Sequence, residues 1–154
     1  MKLHVLLAEH RLSFGVSLRA MLLGDPQIEA VTVHSEAAGL LDHVLQIAPD
    51  ILCFDTDMPG LDAIEVIRQL SAARPQVKTI ALSASASWRL ALAMLDAGAA
   101  GFVAKSGGKS ALLRAVLGIG RYERTYLCPD VAAGVLSLLR ARQAPALPIP
   151  AAHS

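Results

Sequence analysis

Pro49-Asp50-Ile51-Leu52-Cys53-Phe54-Asp55-Thr56-Asp57-Met58-Pro59-Gly60-Leu61-Asp62 holds a short apolar run that ends on a carboxylate and then breaks into a polar loop containing Pro and Gly. The run is apolar at every position rather than at alternate ones, the pattern of a parallel strand covered on both faces. Working outward, runs of the same kind occupy 3–8 and 30–33 before it and 79–82 and 101–104 after it. Between them, stretches of helical period cover 14–23, 36–47, 61–73, 87–97 and 110–118. In the last, Leu112, Leu113, Val116 and Leu117 form one apolar stripe. Five strands alternating with five helices predict an α/β, doubly wound (βα)5 three-layer sandwich. Its ligand site is expected outside the carboxyl ends of the strands.

The 154 residues suit one domain. Although 54% of them are apolar, charged residues interrupt every run before the ~18 positions a spanning helix needs. The segment 1–9 has too short an apolar run for a signal peptide. Fourteen basic against 13 acidic side chains, a net charge of +1, lack the basic excess of a dedicated nucleic-acid binder. Cys53 and Cys128 fit neither a disulfide framework nor a zinc site. A cytoplasmic location without membrane or nucleic-acid contact is therefore expected. After Tyr126 the pattern changes: 131–142 reads as a further helix with Val131, Val135, Leu138 and Leu139 on one face. Residues 143–154, with three prolines, read as a Pro/Ala-rich disordered tail or linker stub. The expected division is 1–122, a C-terminal extension 123–142, and the tail 143–154.

The strand ends carry the chemistry. Glu9 and His10 come after the first strand, Asp55 ends the third, Ser83 the fourth, and Lys105 comes after the fifth. Any one of these alone reads as a solvated loop residue. Together they bring carboxylates, a hydroxyl and an ammonium into one crevice, which is what phosphoryl transfer to a carboxylate uses. Gly107-Gly108-Lys109-Ser110 mimics the end of a phosphate-binding loop, but Val103 stands where that loop needs glycine, so the segment reads as a helix start. The five histidines show no metal-binding spacing. Trp88, beside Arg89, suits a partner contact and ordinary packing equally.

The segment 49–62 resembles the phosphoacceptor region of two-component response-regulator receiver domains. Thr79-Ile80-Ala81-Leu82-Ser83-Ala84 is similar to their fourth strand, and Ala97-Gly98-Ala99-Ala100-Gly101-Phe102-Val103-Ala104-Lys105 to their fifth. Tyr126-Leu127-Cys128-Pro129-Asp130-Val131-Ala132 resembles the segment after the fifth helix in the NarL/LuxR-type subgroup. The resemblance runs from about residue 3 to 139 and implies the flavodoxin-like strand order 2-1-3-4-5, for which receivers are a standard example. It further implies that Asp55 is the phosphoacceptor, that Ser83 and Lys105 contact the phosphoryl group, and that Ser83 and Phe102 form the switch. Mg²⁺ would be held by Glu9, Asp55 and Asp57, the last through its carbonyl. The implied partner is a sensor histidine kinase or phosphotransfer protein. A self-association surface is expected on the first and fifth or fourth and fifth helices.

The chain departs from the family at the first strand end. Two acidic residues are usual there; an ungapped register gives Glu9 and His10, with His10 in the slot of a direct metal ligand. Mg²⁺ prefers hard oxygens to imidazole. The sequence therefore predicts weak Mg²⁺ binding that weakens further as pH falls from about 8 to 6. A one-residue shift of register is the alternative. The same residues leave two other functions open. One is a phosphorylation-independent interaction module. The other is the receiver of a DNA-binding regulator, whose helix-turn-helix is not among these 154 residues.

Overall fold

The computed structural model of the chain describes residues 2–143. Apart from a single 3-10 turn at Lys105–Gly107, its elements are β1 Leu3–Ala8, α1 Leu12–Leu23, β2 Ile28–His34, α2 Leu40–Ile47, β3 Ile51–Asp55, α3 Ala63–Ala73, β4 Lys78–Ser83, α4 Trp88–Ala97, β5 Gly101–Ala104, α5 Lys109–Tyr122, β6 Tyr126–Leu127 and α6 Pro129–Gln143. All strand pairs are parallel and the sheet order is β2-β1-β3-β4-β5-β6. The expected 2-1-3-4-5 order is present, with a sixth short strand added at the β5 edge.

Period-two alternation divides the core between the two faces of the sheet. Leu3, Val5 and Leu7 of β1, Ile51 and Cys53 of β3, and Ile80 and Leu82 of β4 pack with Leu18 and Leu22 of α1 and with Ala115, Val116 and Ile119 of α5. Leu6, Leu52, Phe54, Ala81 and Phe102 point the other way, onto Val44 of α2, Ile67 and Leu70 of α3, Met94 of α4 and Val131 and Val135 of α6. Burial on both faces explains why these strands read as unbroken apolar runs. It also raises the Cys53 thiol to about 12, so it stays protonated and inert.

Local signals set the helix boundaries. Asp62 caps α3 by accepting from the Glu65 N–H, and Ser87 caps α4 by accepting from the Leu90 N–H. Gly98 ends α4 at φ 119°, where a Cβ would lie 2.1 Å from Ser71 Oγ, so only glycine fits that turn. α2 begins at Leu40 rather than near residue 36, after Gly39 in the left-handed region. α5 runs on to Tyr122 through Gly118 and Gly120; Gly120 lets α5 approach Leu3, where a Cβ would lie 2.7 Å from Leu3 Cδ1.

The extension is tied to the sheet and to α4. Tyr126 N–H donates to the Ala100 carbonyl and Cys128 N–H to that of Phe102. α6 lays Gly134 against Trp88, where a Cβ would be 2.6 Å from Trp88 Cγ. Trp88 is thus packed by α6 of the same chain. The expected tail lies, from residue 144 on, outside the described residues.

Candidate functional site

The parallel strands deliver their last residues to one edge. Because Asp55 pairs in register with Leu82, and Ser83 with Ala104, the carboxylate that closes β3, the hydroxyl that closes β4 and Lys105 just after β5 come to one edge of the sheet. Glu9 leaves β1 beside them, its N–H held by the His34 carbonyl at 3.1 Å. Glu9, Asp55 and Ser83 are all buried.

Charge organises the row. Lys105 Nζ lies 3.1 Å from Asp55 Oδ2 and 3.4 Å from Glu9 Oε2, so one ammonium bridges both carboxylates. The Asp57 N–H donates to Asp55 Oδ1 at 2.9 Å. Oδ2 itself accepts no aligned hydrogen bond from any described residue. Asp55 lies at the wall of a cavity of about 190 Å³, lined also by His10, Arg11, Asp57, Ala84 and Lys105. Burial alone would push the Asp55 carboxyl up, but the Asp57 N–H and the Lys105 ammonium outweigh it and hold the group below its ordinary value of 3.8. Asp55 is therefore an anion at neutral pH, positioned and only partly bonded, which is the state a nucleophilic carboxylate requires. A larger cavity, about 500 Å³, lies at the other end of β4 and β5, by Lys78, Gly98 and Arg124, and contains none of these carboxylates.

His10 belongs to the site. Its Nδ1 is 3.3 Å from Asp55 Oδ2 and 3.5 Å from Glu9 Oε1, with about a third of the side chain exposed. Ligand atoms of Glu9, His10 and Asp55 all lie within 4.8 Å of one another. For Mg²⁺ this donor set fits in part: two carboxylates suit it and the imidazole does not. Asp57 is exposed at the cavity rim and contributes its N–H to Asp55.

Ser83 and Phe102 stand slightly apart. Ser83 Oγ accepts from the Ser85 N–H at 3.1 Å, and the neighbouring cavity wall is Ala84. Phe102 is fully buried on the sheet face covered by α4 and α6, in register beside Ala81 and two positions below the row that holds Ser83.

Two residues at the site escape a reading of strand ends alone. Arg11 donates its N–H to Glu9 Oε1 at 3.1 Å and places Nε 3.4 Å from the same oxygen. Phe14 lies under both cations, 4.8 Å from the Arg11 guanidinium carbon and 5.1 Å from Lys105 Nζ. Their signal is the sequence Glu9-His10-Arg11, in which a basic residue comes directly after the acidic pair position.

The chain resembles known proteins in sequence and in fold. The family model described as the response regulator receiver domain matches residues 5–117. A protein-glutamate methylesterase/protein-glutamine glutaminase of Myxococcus xanthus is 40% identical over 90 residues, covering 57% of this chain and 26% of that protein. The probable transcriptional regulatory protein NarL of Mycobacterium tuberculosis is 26% identical over 132 residues, covering 86% of this chain and 60% of its own length. The chain spans about a quarter to two-fifths of the first curated relatives it matches. Among solved structures, a LuxR-family two-component response regulator from Aurantimonas sp. SI85-9A1 superposes with a TM-score of 0.83 at 22% identity, covering 90% of this chain and 99% of that one. The isolated receiver domain of RcsB from Salmonella enterica gives 0.77 at 19%, covering 86% and 98%. These structural likenesses speak for the fold, and the family match, over more than two-thirds of the sequence, adds the lineage. With a carboxylate at the end of β3 and a lysine after β5 that reaches it, the chain belongs to the response regulator receiver domains of two-component signalling.

Proposed function

We propose that Asp55 accepts a phosphoryl group from the phosphohistidine of a sensor kinase or phosphotransfer protein, and that its occupancy alters a protein-binding surface. The observation that carries this reading is Asp55, buried at the wall of the cavity, with Oδ2 free of an aligned hydrogen bond and Lys105 Nζ 3.1 Å from it. Oδ2 attacks phosphorus as the P–N bond of the donor breaks, and the imidazole leaves with the electron pair. Lys105 then spreads its charge over the phosphoryl oxygens as well as over the carboxylate. Ser83, freed from the Ser85 N–H, turns toward the phosphoryl group, and Phe102 responds from the neighbouring row of the same sheet face. Mg²⁺, when bound by Glu9, Asp55 and the Asp57 carbonyl, supplies further positive charge at the phosphoryl oxygens. Its binding is weak, because His10 takes a ligand position and Lys105 and Arg11 already neutralise the two carboxylates. The test is intact-mass spectrometry after incubation with acetyl phosphate and Mg²⁺. One phosphoryl group per chain is expected in the wild type and none in Asp55→Asn; equal uptake by both refutes the reading.

A second reading is supported by the same two cations. With Glu9 paired to Arg11 and Lys105, and Asp55 to Lys105, the two buried carboxylates are balanced by the chain's own cations, as in a phosphorylation-independent interaction module. That reading predicts no uptake by a folded wild type. For output, relatives include transcriptional regulatory proteins, and one related structure shows RcsB dimers bound to DNA. We extend this to self-association through α1 and α5, since Leu12 and Val16 of α1 are exposed one turn apart while Trp88 of α4 is covered by α6. Sedimentation showing a concentration-independent monomer, with and without a phosphoryl analogue, contradicts it.

A further inference from the structure

We propose that the Glu9–His10–Asp55 cluster is a site for a divalent transition metal of the zinc class, and that His10 turns its selection away from Mg²⁺. The inference concerns the same crevice as the phosphoacceptor reading and deepens it by naming the cation. Three observations support it.

The first is spacing. A tetrahedral zinc ion about 2.0–2.1 Å from its ligands puts neighbouring donor atoms roughly 3.3 Å apart. His10 Nδ1 stands 3.3 Å from Asp55 Oδ2 and 3.5 Å from Glu9 Oε1, close to that spacing, and ligand atoms of the three residues all lie within 4.8 Å of one another. The second is a buried oxygen with capacity to spare: Asp55 Oδ2 is on a side chain 1% exposed and accepts no aligned hydrogen bond among the described residues, its near neighbours being the Lys105 ammonium at 3.1 Å and the His10 ring, and Asp55 and His10 line one cavity. The third is chemical type. Two carboxylate oxygens with one imidazole nitrogen form a mixed set that zinc-class ions accept readily and that Mg²⁺, which asks for near-octahedral oxygen, does not. The remaining position opens to the cavity, where water or a phosphoryl oxygen completes the shell. Lys105 and Arg11 lower the attraction for every cation alike, so the choice between metals falls to the ligand atoms and therefore to His10.

The experiment is calorimetric titration of the full chain with Zn²⁺ and with Mg²⁺, read as the ratio of the two affinities. In the wild type the ratio is expected to favour Zn²⁺ strongly, at one ion per chain. His10→Asp should lower that ratio at least ~10-fold, by tightening Mg²⁺ and weakening Zn²⁺. His10→Gln should weaken Zn²⁺ without tightening Mg²⁺, and Zn²⁺ should shift the His10 ring nitrogens in NMR spectra of the wild type. His43→Gln guards against capture by the His34–His43 pair, whose Nδ1 atoms are 2.8 Å apart; it should leave Zn²⁺ binding unchanged. An unaltered Zn²⁺ to Mg²⁺ ratio in His10→Asp, or loss of Zn²⁺ binding in His43→Gln, overturns the proposal. The two readings separate cleanly. Phosphate uptake with an unmoved ratio removes the zinc site alone, whereas a moved ratio without uptake by any variant removes the phosphoacceptor role alone.

Discussion

Asp55 makes the molecule's stability depend on pH in a way that can be signed in advance. Its folded value lies below the ordinary 3.8, because the Asp57 N–H and Lys105 outweigh burial. The unfolded chain therefore takes up the proton first on acidification. The ionised group contributes stability that is present above 3.8 and lost as pH falls through the lower folded value. Denaturant midpoints of wild type minus Asp55→Asn should accordingly decline as pH drops below about 4; parallel profiles contradict the ion-pair assignment. Lys105 tests the same geometry from the cationic side. In Lys105→Met, two buried carboxylates lose their shared ammonium, and about 1–3 kcal/mol of stability should go with it in urea unfolding. No change would mean that solvent already satisfies both groups. The residue scale is also where sequence reasoning reaches furthest and then falls short. Asp55, Lys105, Glu9 and His10 are legible because chain reversal after a parallel strand puts its last residues at one edge. Arg11 is not, since its contact with Glu9 depends on how the turn before α1 folds back, and a strand pattern does not encode that.

At the scale of elements, strands announce themselves by unbroken apolar runs because both faces are covered. The run at 30–33 falls two residues short of β2 at its start and one at its end, since Ile28, Glu29 and His34 do not continue the central apolar run and the strand lies at the sheet edge. β6 leaves no trace in the pattern: two residues carry no periodicity, and Tyr126–Leu127 is a strand only through its bonds to Ala100 and, just beyond it, Phe102. Helix starts are displaced from their apolar stripe where a glycine in the left-handed region, as at Gly39, sets the boundary. The α4–α6 contact carries the clearest mechanical prediction. Gly134 has no room for a Cβ against the Trp88 ring, so Gly134→Ala should displace α6 at a cost of about 1–3 kcal/mol. Thermal unfolding would register the loss, and Trp88 emission should shift to the red as the ring becomes wetter. Unchanged emission and midpoint would show that α6 does not rest on this ring.

The whole molecule joins two cores across one sheet, and the site stands where the layers meet. The face under α1 and α5 carries Asp55 by strand parity, through Ile51 and Cys53, while the face under α2, α3, α4 and α6 carries Phe102. In the proposed mechanism a change at the carboxylate crosses the sheet to reach α4 through Ser83, which pairs in register with Ala104, two residues beyond Phe102. Phe102→Ala should remove about 3–5 kcal/mol from the α4 side of the core, and α4 and α6 should lose hydrogen-exchange protection before α1 does; uniform loss contradicts this division. The proposed phosphoacceptor role stands only if Asp55 is the residue that is modified. The most direct measurement is borohydride reduction of the chain after exposure to acetyl phosphate, with peptide mapping of the product. Reduction of an acyl phosphate converts the aspartyl side chain to an alcohol, and that product is expected at position 55 alone. The product at Asp57 or Glu9, or an unreduced Asp55 in a folded chain that has taken up phosphate, would contradict the assignment.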